Sequence, residues 1–125
     1  MSNCNITIWD RAFELSVIYE CYSGEEVLAS QRESLAMLEE NVQEVADSLE
    51  AVKEYVRETS AGQLGEDRME NIFRYVMPKT IFVPHTEKHR LAAILCHYKF
   101  DMEHGMAVVF EDGKLKEIGQ EDIAL

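Results

Sequence analysis

Basic side chains are scarce in this sequence, in which 12 lysines and arginines stand against 24 aspartates and glutamates. The net charge of −12 disfavours binding to nucleic acid phosphates or to an anionic membrane surface, because like charges repel. The same charge is compatible with a basic protein as partner. We therefore expect no direct contact with nucleic acid and none with a membrane.

Cysteine pairs and targeting segments are also missing. Cys4, Cys21 and Cys96 lie far apart, and no CxxC occurs. Isolated thiols of this kind are typical of a reducing compartment. The first residues lack the basic and then apolar pattern of a secretory signal. The longest apolar run, LAAILC, is far too short to span a bilayer. We expect a soluble cytoplasmic protein.

Familiar catalytic motifs do not occur. The chain has no nucleophile elbow, no glycine-rich phosphate loop and no acidic metal loop with its glycine. Cys96 lies in the most apolar run, where burial disfavours the reactive thiolate. His97 follows it directly, and neighbours on a strand point to opposite faces. We expect a protein that is not an enzyme, with no catalytic residue and no cofactor.

The histidines do not predict a metal site. His85 and His89 are four residues apart, but Thr86 stands where the zincin motif needs glutamate, and the segment lies between predicted strands. We expect no metal there. His97 is expected to be a satisfied core or sheet histidine. His104 is expected to cap the backbone of its own turn.

The 125 residues have the size of one domain, which we place at 1–125. Alternating apolar residues over 6–22 predict a hairpin or strand pair. Strands are also predicted in TIFVP, RLAAILCHYKF, MAVVF and KLKEIG. RLAAILCHYKF is apolar on both faces, as in a covered central strand. Asp112-Gly113 predicts a tight turn between the last two strands, because both positions of that turn favour positive φ.

The middle of the chain is predicted to be helical, with a stripe of residues three and four apart. One long coiled-coil helix or two helices packed on the sheet would both fit. We favour two helices with a break at Asn41 as N-cap and Glu44 in the capping-box position, and Ser30 with Glu33 repeats that spacing earlier. A third helix is predicted in DRMENIFRYV. The stripe consists of Leu28, Gln31, Leu35, Leu38, Val42, Val45, Leu49, Val52 and Val56.

These elements predict an α+β fold, with an antiparallel sheet from N- and C-terminal strands packed against two or three central helices. We expect the stripe to face the protein's own sheet rather than a second chain. We therefore expect a monomer, and a dimer stays open.

Acidic residues are concentrated in the first half of the chain. Residues 14–70 hold 15 acids and four bases, which is −11 of the net charge of −12. Several recur every seven residues opposite the apolar stripe, with few bases to neutralise them. A solvated outer helix face and a platform for a basic protein are the two interpretations. The predicted partner-binding residues, here called the acidic face, are Glu40, Glu44, Asp47, Glu50 and Glu54.

The closing stretch HGMAVVFEDGKLKEIGQEDIAL resembles the tail of a small bacterial domain family of unknown function. Members of that family end in a pattern close to HGxAxxFxxGKxxxxGxxDxxL. The upstream order of a first strand, a helical middle and MPKTIFVP before a central strand is similar too. The matching tail residues are His104, Gly105, Ala107, Phe110, Gly113, Lys114, Gly119, Asp122 and Leu125.

The resemblance implies an α+β domain and no particular activity, since no catalytic residues are established for that family. Its members lie in gene neighbourhoods that imply an immunity role beside polymorphic toxins. We therefore expect a binding protein of immunity or inhibitor type that neutralises a basic partner, such as a nuclease toxin or a nucleic-acid-binding effector, by occlusion. A small-ligand binder or enzyme using the His104 turn, and a homo-oligomeric structural domain built on the stripe, are the alternatives.

Overall fold

The computed structural model describes residues 2–125 and has an α+β fold with one six-stranded sheet. The strands follow one another across the sheet in chain order, from β1 at one edge to β6 at the other. The elements are β1 (Ser2–Ile8), β2 (Arg11–Tyr19), α1 (Ala29–Glu40), α2 (Val42–Thr59), a 3₁₀ turn (Ile72–Arg74), β3 (Val76–Val83), β4 (Leu91–Tyr98), β5 (Met106–Glu111), β6 (Lys114–Gly119) and a second 3₁₀ turn (Glu121–Ala124).

The sheet is mostly antiparallel, with one parallel pair. β2 and β3 run parallel, while the other four neighbouring pairs are antiparallel. The predicted antiparallel sheet is therefore confirmed for four of the five neighbouring pairs and wrong for this one. The physical reason is the long connection, which contains both helices and returns the chain to the same end of the sheet before β3 begins.

Both predicted hairpins form. Trp9 and Asp10 have φ of 50° and 68°, which places a tight turn with two positive φ values between β1 and β2. Asp112 and Gly113 have φ of 55° and 77° and make the equivalent turn between β5 and β6. Residues of β2 alternate as predicted, since Leu15 is buried towards the helices while its neighbours are exposed.

The central strands are covered on both faces. On the helix side, buried residues of β4 and β5 join the main core. On the other side, Phe82, Leu95 and Val109 belong to a smaller buried cluster. The 3₁₀ turn Glu121–Ala124 contributes Ala124 to that cluster and packs on β4 and β5. The prediction of a doubly covered strand in RLAAILCHYKF is confirmed.

The helical middle does break at Asn41, but the capping differs from the prediction. The Asn41 Nδ2 donates to the carbonyl oxygen of Met37 at 2.6 Å, so its side chain caps the end of α1 rather than the start of α2. At the start of α1, Gln31 Oε1 accepts the Leu28 N–H. Ser30 instead donates its hydroxyl to the carbonyl oxygen of Thr86. The two predicted capping boxes are therefore wrong.

The third predicted helix is also wrong, because only the short 3₁₀ turn Ile72–Arg74 forms there. Met69 has φ of 55°, which interrupts a helix, and its N–H is accepted by the Asp67 carboxylate. The Asn71 side chain accepts the N–H of Phe73 and so starts the short turn. Local side-chain bonds of this kind compete with helix formation.

Most of the apolar stripe packs inside the molecule, as predicted, but Val42 is 54% exposed. Leu38, Val45, Val52 and Val56 are 0% exposed. Its polar member, Gln31, is buried too, and its Nε2 donates to the carbonyl oxygens of residues 20 and 83. Because these side chains form the core of one chain, they offer no surface for the stripe-based oligomer considered above.

The helix α2 lies between the two edges of the sheet. It contacts β6 more extensively than β1. The Trp9 Nε1, from the β1–β2 turn, donates to the Ser48 hydroxyl at 3.1 Å, and both residues are buried. Within residues 2–125 no helix has the length and apolar character needed to cross a bilayer.

Candidate functional site

The inward packing of the apolar stripe turns the opposite side of α2 to solvent. Asp47, Glu50 and Glu54 are exposed on that side, and Glu40 is exposed at the end of α1. Glu44 is half-buried at the flank of the helix. Four of the five carboxylates of the acidic face are therefore in solvent, and Asp47, Glu50 and Glu54 share the outer side of α2.

Little in the chain neutralises the acidic face. Glu54 pairs with Arg57 at 3.2 Å, one turn away, and Asp47 accepts a hydrogen bond from Gln43. In the described part of the chain, the carboxylates of Glu40, Glu44 and Glu50 have no hydrogen bond or ion pair. An exposed pair such as Glu54–Arg57 contributes only about 0–1 kcal/mol, so it opens readily for another cation.

A groove runs beside the acidic face, between α2 and the edge strand β6. Its volume is about 380 Å³. Half-buried apolar side chains form its floor. The exposed carboxylates of Glu54 and Glu58 stand on the α2 side, and Glu117 stands beside Lys116 on the β6 side. Such a surface suits a side chain with an aliphatic stem and a cationic end. The lining residues of this α2–β6 groove are Ala51, Glu54, Tyr55, Glu58, Leu115, Lys116, Glu117 and Ile118.

Tyr55 is the aromatic residue of the groove. Its ring lies 6.0 Å from that of Tyr98, centroid to centroid. Burial raises the pKa of the Tyr55 hydroxyl, and the Tyr98 hydroxyl together with the carboxylates of Asp101 and Asp122 raises it further. The phenol is neutral at physiological pH, as for an ordinary tyrosine, and offers a ring face and a polar end to the groove.

The two histidines of the β3–β4 connection lie on different carboxylates. His85 Nε2 is 3.0 Å from Glu25 Oε2, and His89 Nδ1 is 2.9 Å from Glu111 Oε2. They do not converge on a common point. Throughout residues 2–125 no group of three or more histidine, cysteine, aspartate or glutamate side chains could hold a metal ion. His97 lies on β4 as expected, but its side chain is exposed and not in the core.

His104 sits in the turn between β4 and β5 and is engaged with Asp101. The Asp101 Oδ1 lies 2.9 Å from the His104 Nδ1 and also accepts the His104 N–H. Its other oxygen accepts a bond from Gln120, which follows β6. The hydrogen bond and charge of Asp101 raise the pKa of His104, and the same bond lowers the pKa of Asp101. The His104 imidazole was predicted to cap the backbone of its turn. It bonds to the Asp101 side chain instead.

The buried thiols are unsuited to nucleophilic chemistry. Burial, with a smaller contribution from Glu39, raises the pKa of Cys4 to about 11. Burial also raises the pKa of Cys96 far above that of a free thiol. Cys21 is exposed. Cys96 was predicted to be an inert, buried thiol, and it lies inside the core.

The α2–β6 groove was missed from the sequence. Glu58 is one of the 15 acids in residues 14–70, but nothing in the spacing placed it beside Glu117 or Ile118. The groove exists because α2 packs beside the last strand, some 60 residues away along the chain. Sequence periodicity reports which side of a helix is buried and not which strand it lies against.

Comparison with known proteins places the chain in a family without naming an activity. No curated protein and no solved structure gives a significant match. One family model does match, under the description "Domain of unknown function (DUF6985)", and it covers residues 2–125. Because that match takes in nearly the whole chain, the protein belongs to the DUF6985 family.

Proposed function

We propose that the protein is an acidic binding module that neutralises a basic partner protein through the acidic face and the adjoining α2–β6 groove. The observation that carries the proposal is the row of carboxylates on the outer side of α2, of which only Glu54 makes an ion pair within residues 2–125. A face of one sign accelerates the encounter with an oppositely charged partner.

The groove supports the proposal with a place for side chains of the partner. A lysine or arginine could lay its aliphatic stem on Leu115 and Ile118 while its cation lies near Glu54 or Glu58. The Tyr55 ring adds an aromatic surface for the same cation. Charge on the helix would therefore guide the partner, and the groove would hold it.

We propose further that the mode of action is occlusion in the cytoplasm, as in an immunity or inhibitor protein, and that no reaction is catalysed. The support for this step is the resemblance of the closing stretch to a family found beside polymorphic toxins, together with the acidic charge. A nuclease or another nucleic-acid-binding effector fits best, because its own basic surface would match a row of carboxylates.

The test measures association of the chain with the protein it captures from its native cell. The triple variant Asp47→Lys, Glu50→Lys, Glu54→Lys should slow association at least about tenfold at low salt, since exposed charges act mainly on the on-rate. The wild-type rate should fall between low and physiological salt, because charges are screened over roughly 8–10 Å.

A matched control separates the face from net charge. Glu26→Lys, Glu70→Lys and Glu87→Lys change the net charge equally at exposed sites outside α2. An unchanged rate in the first triple, or an equal loss in both, would overturn the binding proposal. Binding that leaves the partner's own activity intact would overturn occlusion while leaving the acidic face as a binding surface.

A further inference from the structure

The edge strand β1 lacks the devices that normally limit strand pairing. All seven residues, Ser2–Ile8, pair in regular antiparallel register with β2, without a bulge. The segment SNCNITI has no charged residue and no proline. Edge strands usually carry one of these features, because an open row of N–H and C=O groups is a template for another strand.

The outward groups of β1 can be assigned from the hairpin. Ile8 and Arg11 flank a two-residue turn and form a hydrogen-bonded pair, and such pairs alternate along an antiparallel ladder. Asn3, Asn5 and Thr7 therefore direct their N–H and C=O groups away from β2. Their side chains are exposed. In the chain from residue 2 onwards, the main chain of β1 bonds to no element other than β2.

We propose that β1 pairs antiparallel with β1 of a second copy of this chain, across a two-fold axis at Asn5. This register sets Asn3 opposite Thr7 of the copy and Asn5 opposite its own equivalent. It pairs all the outward-directed residues and forms about six main-chain hydrogen bonds. If the register shifts by two residues towards Thr7, only Asn5 and Thr7 pair, and about four main-chain hydrogen bonds form. A two-fold interface of this kind is self-complementary, as homodimer interfaces are.

Charge favours a second copy despite the acidity of the chain. β1 itself is neutral, so no like charges oppose one another at the axis. Two carboxylates lie beside β1: Glu39 is next to the Cys4 thiol, and Glu14, opposite Asn5 on β2, accepts a hydrogen bond from Asn3. Glu14 and its equivalent would be three strand spacings apart, about 14 Å. That distance exceeds the screening length of about 8 Å at physiological salt.

Polar pairing on the exposed face adds to the main-chain bonds. The side chains of Asn5 and its equivalent lie on the same face and can exchange amide hydrogen bonds, and Asn3 can bond the Thr7 hydroxyl of the copy. The contact is small and polar, which is typical of a weak, concentration-dependent dimer. The acidic face lies on α1 and α2 rather than on β1, so this contact and the proposed partner contact use different elements.

The test is sedimentation equilibrium of the purified full chain from about 1 to 500 µM, a range that suits small, weak interfaces. The wild type should change from the mass of one chain to that of two across this range. Asn5→Pro should remain monomeric and folded by circular dichroism, because a proline whose N–H position faces solvent is tolerated on an edge strand. Amide exchange at Asn3, Asn5 and Thr7 should slow as the concentration of wild type rises.

Asn5→Lys supplies a second variant that keeps the backbone unchanged and sets two cations opposite each other. It should also remain monomeric, while Ala46→Lys, which adds the same charge at an exposed position of α2, should dimerise like the wild type. A wild type that stays monomeric at every concentration overturns the proposal. So does an Asn5→Pro dimer, or β1 amides that become protected only when a different protein binds.

Discussion

The two edge strands of the sheet differ in almost every respect that governs strand pairing. β1 is seven residues long, uncharged and regular. β6 has six residues, of which Lys114, Lys116 and Glu117 are charged, and its register with β5 shifts between Val109 and Phe110. Charges and bulges of this kind limit edge-to-edge association. The difference teaches that one sheet can be protected at one edge and open to another strand at the other.

The helix α2 gives this contrast a physical basis, because it packs more extensively on β6 than on β1. The β6 edge is therefore part of a groove with carboxylate rims, which suits contact through side chains. The β1 edge offers main-chain groups instead. The two proposed contacts are thus chemically distinct, and variants that affect one edge should spare the other.

The largest expected effect comes from Val52→Asp, which should unfold the chain and abolish the distinction between the edges. Val52 is 0% exposed on the inner side of α2, so the carboxylate would enter the core without a partner. We expect a loss of at least about 4 kcal/mol of unfolding free energy. Ala46→Asp, exposed on the same helix, adds the same charge and should melt like the wild type. Equal urea midpoints for the two variants would contradict this role of α2.

The next largest effect is expected at the β1 side of α2. Trp9 is 5% exposed and bonds Ser48, so Trp9→Ala should lower the unfolding free energy by about 3–5 kcal/mol. Trp9→Phe keeps most of the packing but leaves the Ser48 hydroxyl without its donor, which costs about 1 kcal/mol. Urea denaturation of both variants separates packing from the hydrogen bond. If both lose the same amount, the ring packing does not hold α2 to this end of the sheet.

The strands, the hairpin turns and the helix break were predictable because each depends on local periodicity or on the residues of a turn. Asp112-Gly113 adopts the positive φ values that its sequence favours, and the alternation of β2 survives in its burial. The direction of β3 relative to β2 was not predictable, because strand direction follows from where a long connection ends. The third helix failed because the side chains of Asp67 and Asn71 bond locally to the backbone.

For the candidate site, the sequence predicted the exposed side of α2 but not its neighbours. Acids that recur every seven residues opposite a buried stripe are expected to face solvent. Four of the five residues of the acidic face are exposed. The groove with β6 and the open edge of β1 depend on tertiary packing and sheet order. Neither has a counterpart in residue spacing.

A smaller effect is expected at the turn that leads into β6. An added Cβ at Gly113 would collide with the Asn41 side chain and lie 2.9 Å from the carbonyl oxygen of Met37. Gly24 is the matched control, because its φ of +83° resembles the +77° of Gly113 while nothing lies within 4 Å of the added atom. Gly113→Ala should therefore lower the unfolding free energy by about 1–3 kcal/mol more than Gly24→Ala. Equal losses would mean that left-handed backbone alone, and not contact with the helix junction, requires this glycine.

The smallest effect is expected in the segment after β6. Its Gln120 donates a hydrogen bond to Asp101, which also bonds the His104 imidazole. Asp101 raises the pKa of His104, so the stabilisation from His104 is complete below its ordinary value of 6.5 and is lost as pH rises through the raised value. The pKa of Asp101 is lowered, so its contribution is present above 3.8 and is lost as pH falls through the lowered value. The pair should therefore stabilise this end of β6 most strongly between those two ordinary values.

A titration of the imidazole by NMR tests the pair directly. The His104 midpoint should lie above 6.5 in the wild type and fall in Asp101→Asn, although the charges of Glu103 and Asp122 still raise it slightly. Gln120→Ala removes a bond to Asp101 without touching the imidazole, and its midpoint should change less. A midpoint unaffected by Asp101→Asn would show that the carboxylate does not hold the histidine in solution. The stability of this segment would then have no dependence on pH from this pair, while the Gln120 hydrogen bond and the Lys79–Glu121 ion pair would still hold it.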